Sequence, residues 1–232
     1  ERILIATGSV PTSLPGIEID EKKIVSSTGA LALEKLPKKL VVIGAGYIGL
    51  EMGTVWSRLG TEVEVVEYLP RILPGMDLEV ANKFKAMLTK QGLKFHLGTA
   101  VKSAEFSRSG VTLTVADAKT GEEQDINCDI ALVSVGRKPN TDNLGLEALG
   151  VEMTDRGQIA VDADFETNIE GIFAVGDIND YPGKLDLILS GFHETTLAVQ
   201  KAYKRIYPGE RVPFGYTTSN AKLHQKLGVE KK

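Results

Sequence analysis

The stretch that decides the fold is Lys39-Leu40-Val41-Val42-Ile43-Gly44-Ala45-Gly46-Tyr47-Ile48-Gly49. Its first five residues form a near-continuous apolar run, which is typical of a strand buried on both faces. Over residues 47–59 the apolar side chains recur at helical spacing, and Gly60 stands where such a helix ends. Residues 63–67, Val-Glu-Val-Val-Glu, have the β-branched composition of a second strand. The pattern therefore predicts a strand, a glycine turn, a helix and a further strand, which is the unit from which parallel sheets are built.

The three glycines of this turn each have a steric reason to be glycine. Gly44 makes the tight turn, Gly46 lets a pyrophosphate approach the backbone, and Gly49 lets the helix pack closely on the strand. The first helical turn, with Tyr47 and Ile48, offers unpaired N–H groups and a partial positive charge to phosphates. The stretch predicts a dinucleotide site, and the alternative is a helix that begins in an unusually glycine-rich turn.

Glu67 ends the second strand at close to the expected spacing of about 20 residues after the glycine turn. Its carboxylate can accept hydrogen bonds from ribose hydroxyls and would repel a 2′-phosphate, which favours NAD over NADP. Arg71 lies near enough in sequence to soften that preference, and Glu67 could instead be a solvated strand end. The fold class that follows is α/β, with a Rossmann-like NAD-binding domain on a parallel sheet.

Composition excludes several classes of protein. The chain has 232 residues, of which 42% are hydrophobic and 25% charged, so it has the material for a packed core and is not disordered. The formal net charge of −4 argues against nucleic acid and anionic lipid as partners. No apolar run approaches the roughly 18 residues of a membrane span, and residues 1–20 lack a signal core. A single cysteine, Cys128, excludes an internal disulfide, so we expect a reducing, cytoplasmic location.

The remaining segments extend this plan. Residues 77–91 read as a second helix, 93–97 as a third strand, and 100–135 as an antiparallel meander that returns to the parallel sheet at 130–135. Residues 171–177 repeat the strand-then-glycine pattern, and the apolar residues between 192 and 206 trace one helix face. Residues 207–232 read as a polar, loose tail, and the abrupt opening on an apolar strand leads us to expect that the chain begins within a fold.

Five groups of residues carry a family resemblance: 6–9, 44–51, 64–74, 136–140 and 172–177. In their order and spacing the chain resembles the pyridine-nucleotide-disulfide oxidoreductases, most closely their dihydrolipoamide dehydrogenase branch, over residues 1 to about 180. The resemblance implies an NAD domain inserted in an FAD domain. Residues 1–37 would end the first FAD segment, 38–155 would form the NAD domain, 156–206 would return to the FAD domain, and 207–232 would be the tail.

The resemblance also assigns residues to the two cofactors. Thr7, Gly8, Gly176 and Asp177 would contact FAD, Asp177 near its ribityl and phosphate groups. Glu51 would stand beside the nicotinamide and the flavin as a catalytic residue, and Gly136 near the nicotinamide ribose. Two of these have simpler alternatives, because Asp177 could cap a turn and Glu51 could be a solvated helix residue.

Several family features are missing from the sequence. It has no glycine loop for the FAD diphosphate, no CxxxxC redox disulfide and no dimerisation domain with its His-Glu pair. The FAD site is therefore expected to be incomplete. Cys128 falls in an alternating strand and is read as structural. His193-Glu194 is read as helix capping, and His96 and His224 as lacking a partner cluster, so no metal site is expected.

From about residue 180 the pattern changes. Residues 181–185, 188–194 and 216–219 resemble the C-terminal part of thioredoxin-reductase-like ferredoxin–NADP reductases. Three functions follow as expectations. The first is the NAD(H)-binding part of an FAD-dependent oxidoreductase that passes hydride between NADH and flavin, with a lipoamide, another disulfide or a ferredoxin beyond it. The second is an inert NAD-binding module. The third is an interaction piece that needs a homodimer partner or a second chain.

Overall fold

The computed structural model describes residues 2–107, 110–212 and 220–228. The chain divides into two compact units, Val10–Lys138 and the pair of segments Glu1–Ser9 and Pro139–Lys232. We call them the central unit and the flanking unit. No helix in the described ranges is both long enough and apolar enough to cross a membrane.

The strands and helices follow one another along the chain. The strands are β1 Ile3–Ile5, β2 Ser9–Pro11, β3 Ile24–Val25, β4 Lys39–Ile43, β5 Glu62–Glu67, β6 Lys94–Leu97, β7 Thr99–Phe106, β8 Val111–Asp117, β9 Glu123–Cys128, β10 Ile130–Val133, β11 Arg137–Pro139, β12 Ile159–Ala160, β13 Ile172–Ala174 and β14 Asn179–Asp180. The helices are α1 Ser27–Leu31, α2 Tyr47–Arg58, α3 Leu78–Lys90, α4 Leu146–Leu149, α5 Ile188–Ile206 and α6 Ala221–Lys226.

The central unit is built on a parallel sheet of five strands in the order β3-β10-β4-β5-β6. Strand β4 lies in the middle, with Ile43 opposite Val66 of β5 on one side and Val133 of β10 on the other. Leu40, Val41, Val42 and Ile43 are all buried, as their continuous apolar run predicts for a strand covered on both faces. The predicted α/β fold with a parallel sheet is confirmed.

Different layers cover the two faces of this sheet. On one face Leu40 and Val42 pack with Leu50 and Trp56 of α2 and with residues of α1 and α3. On the other face Val41 and Ile43 pack with side chains of an antiparallel sheet, β7-β8-β9. The predicted meander is confirmed and covers the face that lacks helices. Helix α3 begins as predicted, because the Asp77 carboxylate accepts a 3.0 Å hydrogen bond from the Val80 N–H.

The boundaries of the two units differ from those expected at residues 37/38 and 155/156. Residues 10–37 pack with the central unit, since Val25 of β3 pairs with Leu132 and Ala30 of α1 joins the helix-side core. Residues 139–155 pack with the flanking unit, since Leu146 and Val151 share a cluster with Ile159. Core contacts of this kind link positions that are distant in sequence, so sequence composition alone does not reveal them.

The flanking unit holds two pairs of parallel strands, β1 with β13 and β12 with β14, together with the 19-residue helix α5. Helix α5 begins at Ile188, four residues before the first residue of the predicted apolar face. Within the expected loose tail, residues 221–226 form α6, where the Asn220 side chain accepts from the Leu223 N–H. Residues 216–219, which contribute to the C-terminal resemblance, lie outside the described residues.

Candidate functional site

A cavity of about 570 Å³ opens in the central unit where β4, β5 and β10 end. Six of the predicted NAD residues line it: Gly44, Gly46, Tyr47, Ile48, Glu67 and Gly136. The carboxyl ends of parallel strands meet at one edge of a sheet, so these residues come together although they are far apart in sequence. The cavity therefore lies where ligands bind in open α/β sheets.

The space around the three glycines differs in a way that matters for binding. A Cβ on Gly44 would lie 2.6 Å from the Ser134 carbonyl oxygen, and one on Gly49 only 2.3 Å from the Gly44 carbonyl oxygen. On Gly46 a Cβ would meet no described atom within 4 Å. Packing inside the protein thus requires glycine at positions 44 and 49. At position 46 it does not, so the small residue there leaves free volume beside the start of α2.

Ser134 belongs to this site and was missed by the sequence reasoning. Its hydroxyl lies 2.9 Å from the Ile43 carbonyl oxygen and 3.2 Å from that of Gly44, so it holds the glycine turn from the β10 side. The only local signal is a polar residue at the end of an apolar strand. Its partners are about 90 positions away, and only the pairing of β10 with β4 brings them together.

Glu67 connects two backbone segments at the cavity. One carboxylate oxygen accepts a 2.7 Å hydrogen bond from the Ala45 N–H, and the other a 2.8 Å bond from the Leu69 N–H. Each oxygen of an ionised carboxylate has two lone pairs, so both retain capacity for a further donor. Glu67 can therefore fix the glycine turn and still accept a ligand hydroxyl. The alternative of a free, solvated strand end does not describe its contacts.

Glu51 lies elsewhere. It is exposed on α2 and does not line the cavity, and Gly49 lies behind the cavity wall against Val42. The catalytic assignment of Glu51 stays a prediction from the family resemblance.

The predicted FAD residues come together in the flanking unit. Thr7 and Gly8 follow β1, Gly176 and Asp177 follow β13, and these two strands are parallel neighbours. The Ser9 hydroxyl donates to the Asp177 carboxylate at 2.7 Å, and the Thr7 hydroxyl donates to the Asn140 carbonyl oxygen at 2.8 Å. Their assignment to FAD stays a prediction.

Glu194 is a fully buried carboxylate in this unit, and its predicted capping role is wrong. It lies in the second turn of α5, and the helix begins at Ile188 without a side-chain cap. The carboxylate accepts from the Gly176 N–H at 2.6 Å, from the Lys184 ammonium at 2.6 Å and from the Tyr181 hydroxyl at 3.1 Å. Lys184, with a side chain only 6% exposed, also donates to the Gly176 carbonyl oxygen at 2.9 Å. The buried pair thus binds both the N–H and the carbonyl oxygen of Gly176 and fixes the turn at this residue.

A second ionic cluster corrects the reading of His96. The His96 Nε2 atom lies 2.9 Å from the carboxylate of Glu64, which also pairs with the Lys39 ammonium at 2.9 Å. Burial by itself raises the pKa of Glu64, but hydrogen bonds from Lys39 and His96 outweigh it and hold the pKa below its usual value. An acid in the interior of a strand, between buried valines, was the available signal. Among the described residues no group of His, Cys, Asp and Glu could hold a metal ion.

Cys128 has the environment of a structural thiol. It is buried against the sheet in the same core as Val111 and Ile126, and burial raises its pKa to about 11. The thiolate is the reactive form of cysteine, so this residue is unsuited to nucleophilic or redox chemistry near neutral pH.

The chain is similar to known flavoenzymes. It is 55% identical to pea mitochondrial dihydrolipoyl dehydrogenase over 178 residues, which is 77% of this chain and 36% of that protein. It is 47% identical to dihydrolipoamide dehydrogenase of Chaetomium thermophilum over 208 residues, 89% of this chain and 40% of that one. The crystal structure of LpdA from Mycobacterium tuberculosis matches with a TM-score of 0.76 at 28% identity, over 91% of this chain and 43% of that chain. The chain thus spans about two fifths of these relatives or less.

These relatives overturn the expected location. Dihydrolipoyl dehydrogenases from pea, Arabidopsis thaliana, Caenorhabditis elegans and rat are named as mitochondrial, so the cytoplasmic prediction is wrong. A single cysteine argues against an oxidising compartment, but it does not distinguish one reducing compartment from another.

The match to a whole family covers most of the sequence. The family model described as pyridine nucleotide-disulphide oxidoreductase matches residues 1–203. Members of this family use FAD and NAD(P), which agrees with the two cofactors predicted. With the glycine turn, the acid at the end of β5 and the Gly-Asp turn after β13 all in place, the chain belongs to the pyridine nucleotide-disulphide oxidoreductase family.

Proposed function

We propose that the central unit binds NAD(H), and that the chain is the NAD(H)-binding part of an FAD-dependent oxidoreductase resembling dihydrolipoyl dehydrogenase. The observation that carries the proposal is the free volume at Gly46. Gly44 and Gly49 are required by the protein's own packing, whereas the space at Gly46 opens directly on the cavity. A linked diphosphate needs such a close approach to the backbone.

The start of α2 suits an anion. Gly46 precedes the helix in an extended conformation, no side chain caps it, and residues 47–49 contain no acid. The N–H groups of the first turn therefore have neither an intrahelical acceptor nor a side-chain acceptor at the cap. These groups and the helix dipole would hold the diphosphate at the cavity.

Glu67 would accept hydrogen bonds from the hydroxyls of the adenosine ribose while it keeps its bonds to Ala45 and Leu69. The same negative charge would repel a 2′-phosphate, so the site should prefer NADH to NADPH. Gly136, at the far side of the cavity, would lie near the nicotinamide ribose.

The flanking unit would supply part of the FAD site. Its four predicted FAD residues follow the carboxyl ends of the paired strands β1 and β13: Thr7, Gly8, Gly176 and Asp177. The Lys184–Glu194 pair fixes the Gly176 turn. The two cofactors, when bound, would supply a hydride donor and its acceptor. The residues of this chain would bind and orient them, with Glu51 the predicted residue beside the reacting rings. In this proposal the electrons would then pass to a final acceptor, which would be a lipoamide, another disulfide or a ferredoxin.

A second candidate is an interaction piece that another polypeptide completes. It is favoured by apolar side chains that the flanking unit leaves exposed, including Ile3 at 53%, Ile188 at 83% and Phe192 at 71%. Ile188 and Phe192 lie four residues apart on α5 and so share one side of that helix, and exposed apolar surface of this kind is typical of an interaction site. Purified chain that is yellow and is bleached by NADH would support the oxidoreductase unit. Colourless chain that takes up FAD only with a second polypeptide would support the interaction piece.

The decisive test of NAD(H) binding is Gly46→Ala, titrated with NADH by fluorescence. The added methyl meets no described protein atom, so stability should change by less than about 1 kcal/mol, while it occupies the place of the diphosphate. We expect the NADH affinity to fall at least about 30-fold. The matched control is Gly191→Ala, a glycine of α5 where the added Cβ would make only an ordinary contact of 3.5 Å and which does not line the cavity. Equal affinities for Gly46→Ala and wild type would refute the proposed site.

The nucleotide preference is tested by Glu67→Ala. If Glu67 binds the ribose, the variant should lose more affinity for NADH than for NADPH, because it removes a hydrogen-bond acceptor for the first and a repulsive charge for the second. Equal losses for both nucleotides would refute the ribose contact.

A further inference from the structure

The connection between β5 and α3 forms one wall of the nucleotide cavity. Within residues 68–76, here called the wall loop, Tyr68, Leu69 and Pro74 line the cavity. Leu69 is fixed to the rest of the unit, because its carbonyl oxygen accepts a hydrogen bond from the Gly98 N–H at 3.0 Å. The buried Ile72 anchors the loop in the helix-side core. The shape of the cavity therefore depends on the conformation of this loop.

Ala45 joins the wall loop to the glycine turn. Its N–H donates to Glu67, and its carbonyl oxygen accepts a 3.0 Å hydrogen bond from the Leu73 N–H. Ala45 stands between Gly44 and Gly46, at the point where the diphosphate would approach. A displacement of Leu73 would therefore be transmitted to the backbone of the glycine turn.

Leu73 holds this position in an unfavourable conformation. Its φ is +46°, in the left-handed region that a residue with a branched side chain seldom adopts. Such a conformation persists only when the surroundings enforce it. The Leu73 carbonyl oxygen accepts from two donors, the Met76 N–H at 2.9 Å and the Arg71 guanidinium at 3.1 Å. The same guanidinium also donates to the Met76 carbonyl oxygen, so Arg71 is the side chain that holds both carbonyl groups in place.

The direction of the Arg71 guanidinium bears on its part in binding. The guanidinium donates to carbonyl oxygens of its own loop, including a longer bond of 3.5 Å to Ile72, and Arg71 does not line the cavity. Its closeness in sequence to Glu67 suggested a cation that could tolerate a 2′-phosphate. In the structure the Arg71 guanidinium instead binds the backbone of its own loop.

We propose that Arg71 is a positioning residue for NAD(H): it holds the wall loop, and through Leu73 and Ala45 the glycine turn, in the shape that accepts the diphosphate. This inference rests on the proposed function of the cavity. The planar guanidinium donates to several carbonyl oxygens at once, which a lysine ammonium at the same place cannot match in geometry. Because the diphosphate is common to both nucleotides, loss of Arg71 should weaken NADH and NADPH by the same factor.

The test is Arg71→Met, titrated with NADH and NADPH, with amide hydrogen exchange of Leu73 measured in the nucleotide-free protein. We expect both dissociation constants to rise about tenfold, as follows from losing hydrogen bonds from a charged group. The Leu73 amide should exchange about tenfold faster or more, because its bond to Ala45 is no longer enforced. For Arg71→Lys, the dissociation constants and the Leu73 exchange rate should lie between those of wild type and those of Arg71→Met. Arg58→Met, an exposed arginine at the end of α2, is the matched control and should change none of these values.

The outcomes separate this inference from the proposed function. If the wild-type chain binds neither nucleotide, the proposed function fails, and the positioning role of Arg71 fails with it. If wild type binds NADH and Arg71→Met binds it equally well, the positioning role alone is wrong. A greater loss for NADPH than for NADH would make Arg71 a phosphate ligand instead. An unchanged Leu73 exchange rate would likewise overturn the proposed linkage.

Discussion

The central and flanking units both place a glycine turn after a parallel strand, but they hold that turn in different ways. In the central unit, Gly44 and Gly49 are enclosed by backbone and by Ser134, so close packing fixes the turn. In the flanking unit, a Cβ on Gly176 would meet no described atom within 4 Å, and the buried charges of Lys184 and Glu194 grip the turn. We therefore expect added side-chain volume to destabilise the turn at Gly44–Gly49, and the loss of a buried charge to destabilise the turn at Gly176.

The largest expected effect is in the flanking unit. Lys184→Met should lower its free energy of unfolding by about 3–5 kcal/mol, because the variant leaves the Glu194 carboxylate buried without its cation. The single tryptophan, Trp56, lies in the central core and reports on that unit, whereas far-UV circular dichroism reports on both units. We expect the circular dichroism transition to move to lower denaturant concentration while the fluorescence transition stays in place.

The control for this prediction is Lys204→Met, an exposed lysine near the end of α5. It removes a positive charge from the same unit without touching a buried carboxylate, so its effect should stay below about 0.5 kcal/mol. If the two lysine variants were equally stable, the Gly176 turn would not depend on buried charge.

Added volume tests the central unit. Gly49→Ala should cost about 3 kcal/mol, because its Cβ would overlap the Gly44 carbonyl oxygen, the Ser134 hydroxyl and a Val42 methyl. The Trp56 fluorescence transition should move, and NADH binding should be lost with it. Gly46→Ala is the counterpart, since it should remove binding without moving that transition. A stable Gly49→Ala chain would show that the turn can relax, contrary to its packed surroundings.

The smallest expected effect concerns the ion pairs of Glu64, which lie within the closely packed central unit. The folded-state pKa of Glu64 lies below its usual value, so its ion pairs add stability above that value and lose it as the pH falls through the folded pKa. Glu64→Gln should cost about 1.5 kcal/mol at pH 7, and the difference from wild type should shrink below about pH 4. Glu79→Gln, from the exposed pair with Lys83, is the control and should cost less than about 0.5 kcal/mol at any pH. A pH-independent Glu64→Gln difference would contradict the ion-pair explanation.

The two units also differ in how far the sequence predicts them. The glycine turn and Glu67 are predictable because their pattern is local and each residue has a steric or hydrogen-bonding reason. Ser134 is not, because its partners come from another strand. Glu194 was misread because the apolar pattern that begins at Phe192 placed it at a helix start, whereas α5 begins at Ile188 and the partners of Glu194 lie between residues 176 and 184. The contact of His96 with Glu64 likewise depends on strand pairing. Glu64 lies opposite Lys94, and His96 is two residues further along β6, so its side chain is on the same face of the sheet.

The pairing of β1 with β13 has a consequence for how this polypeptide acquires its structure. Ile3 lies opposite Ile172, so within the described residues the pairing of β1 with β13 joins positions about 170 residues apart. The central unit is continuous in sequence and needs nothing from outside residues 10–138 to form its sheet. We therefore expect the cavity of the central unit to be assembled during synthesis, with the β1–β13 pair completed afterwards, since contacts between distant residues form more slowly than local ones. Until β13 has been synthesised, the apolar side chains of β1 lack this partner strand, which makes β1 a segment that a chaperone would protect.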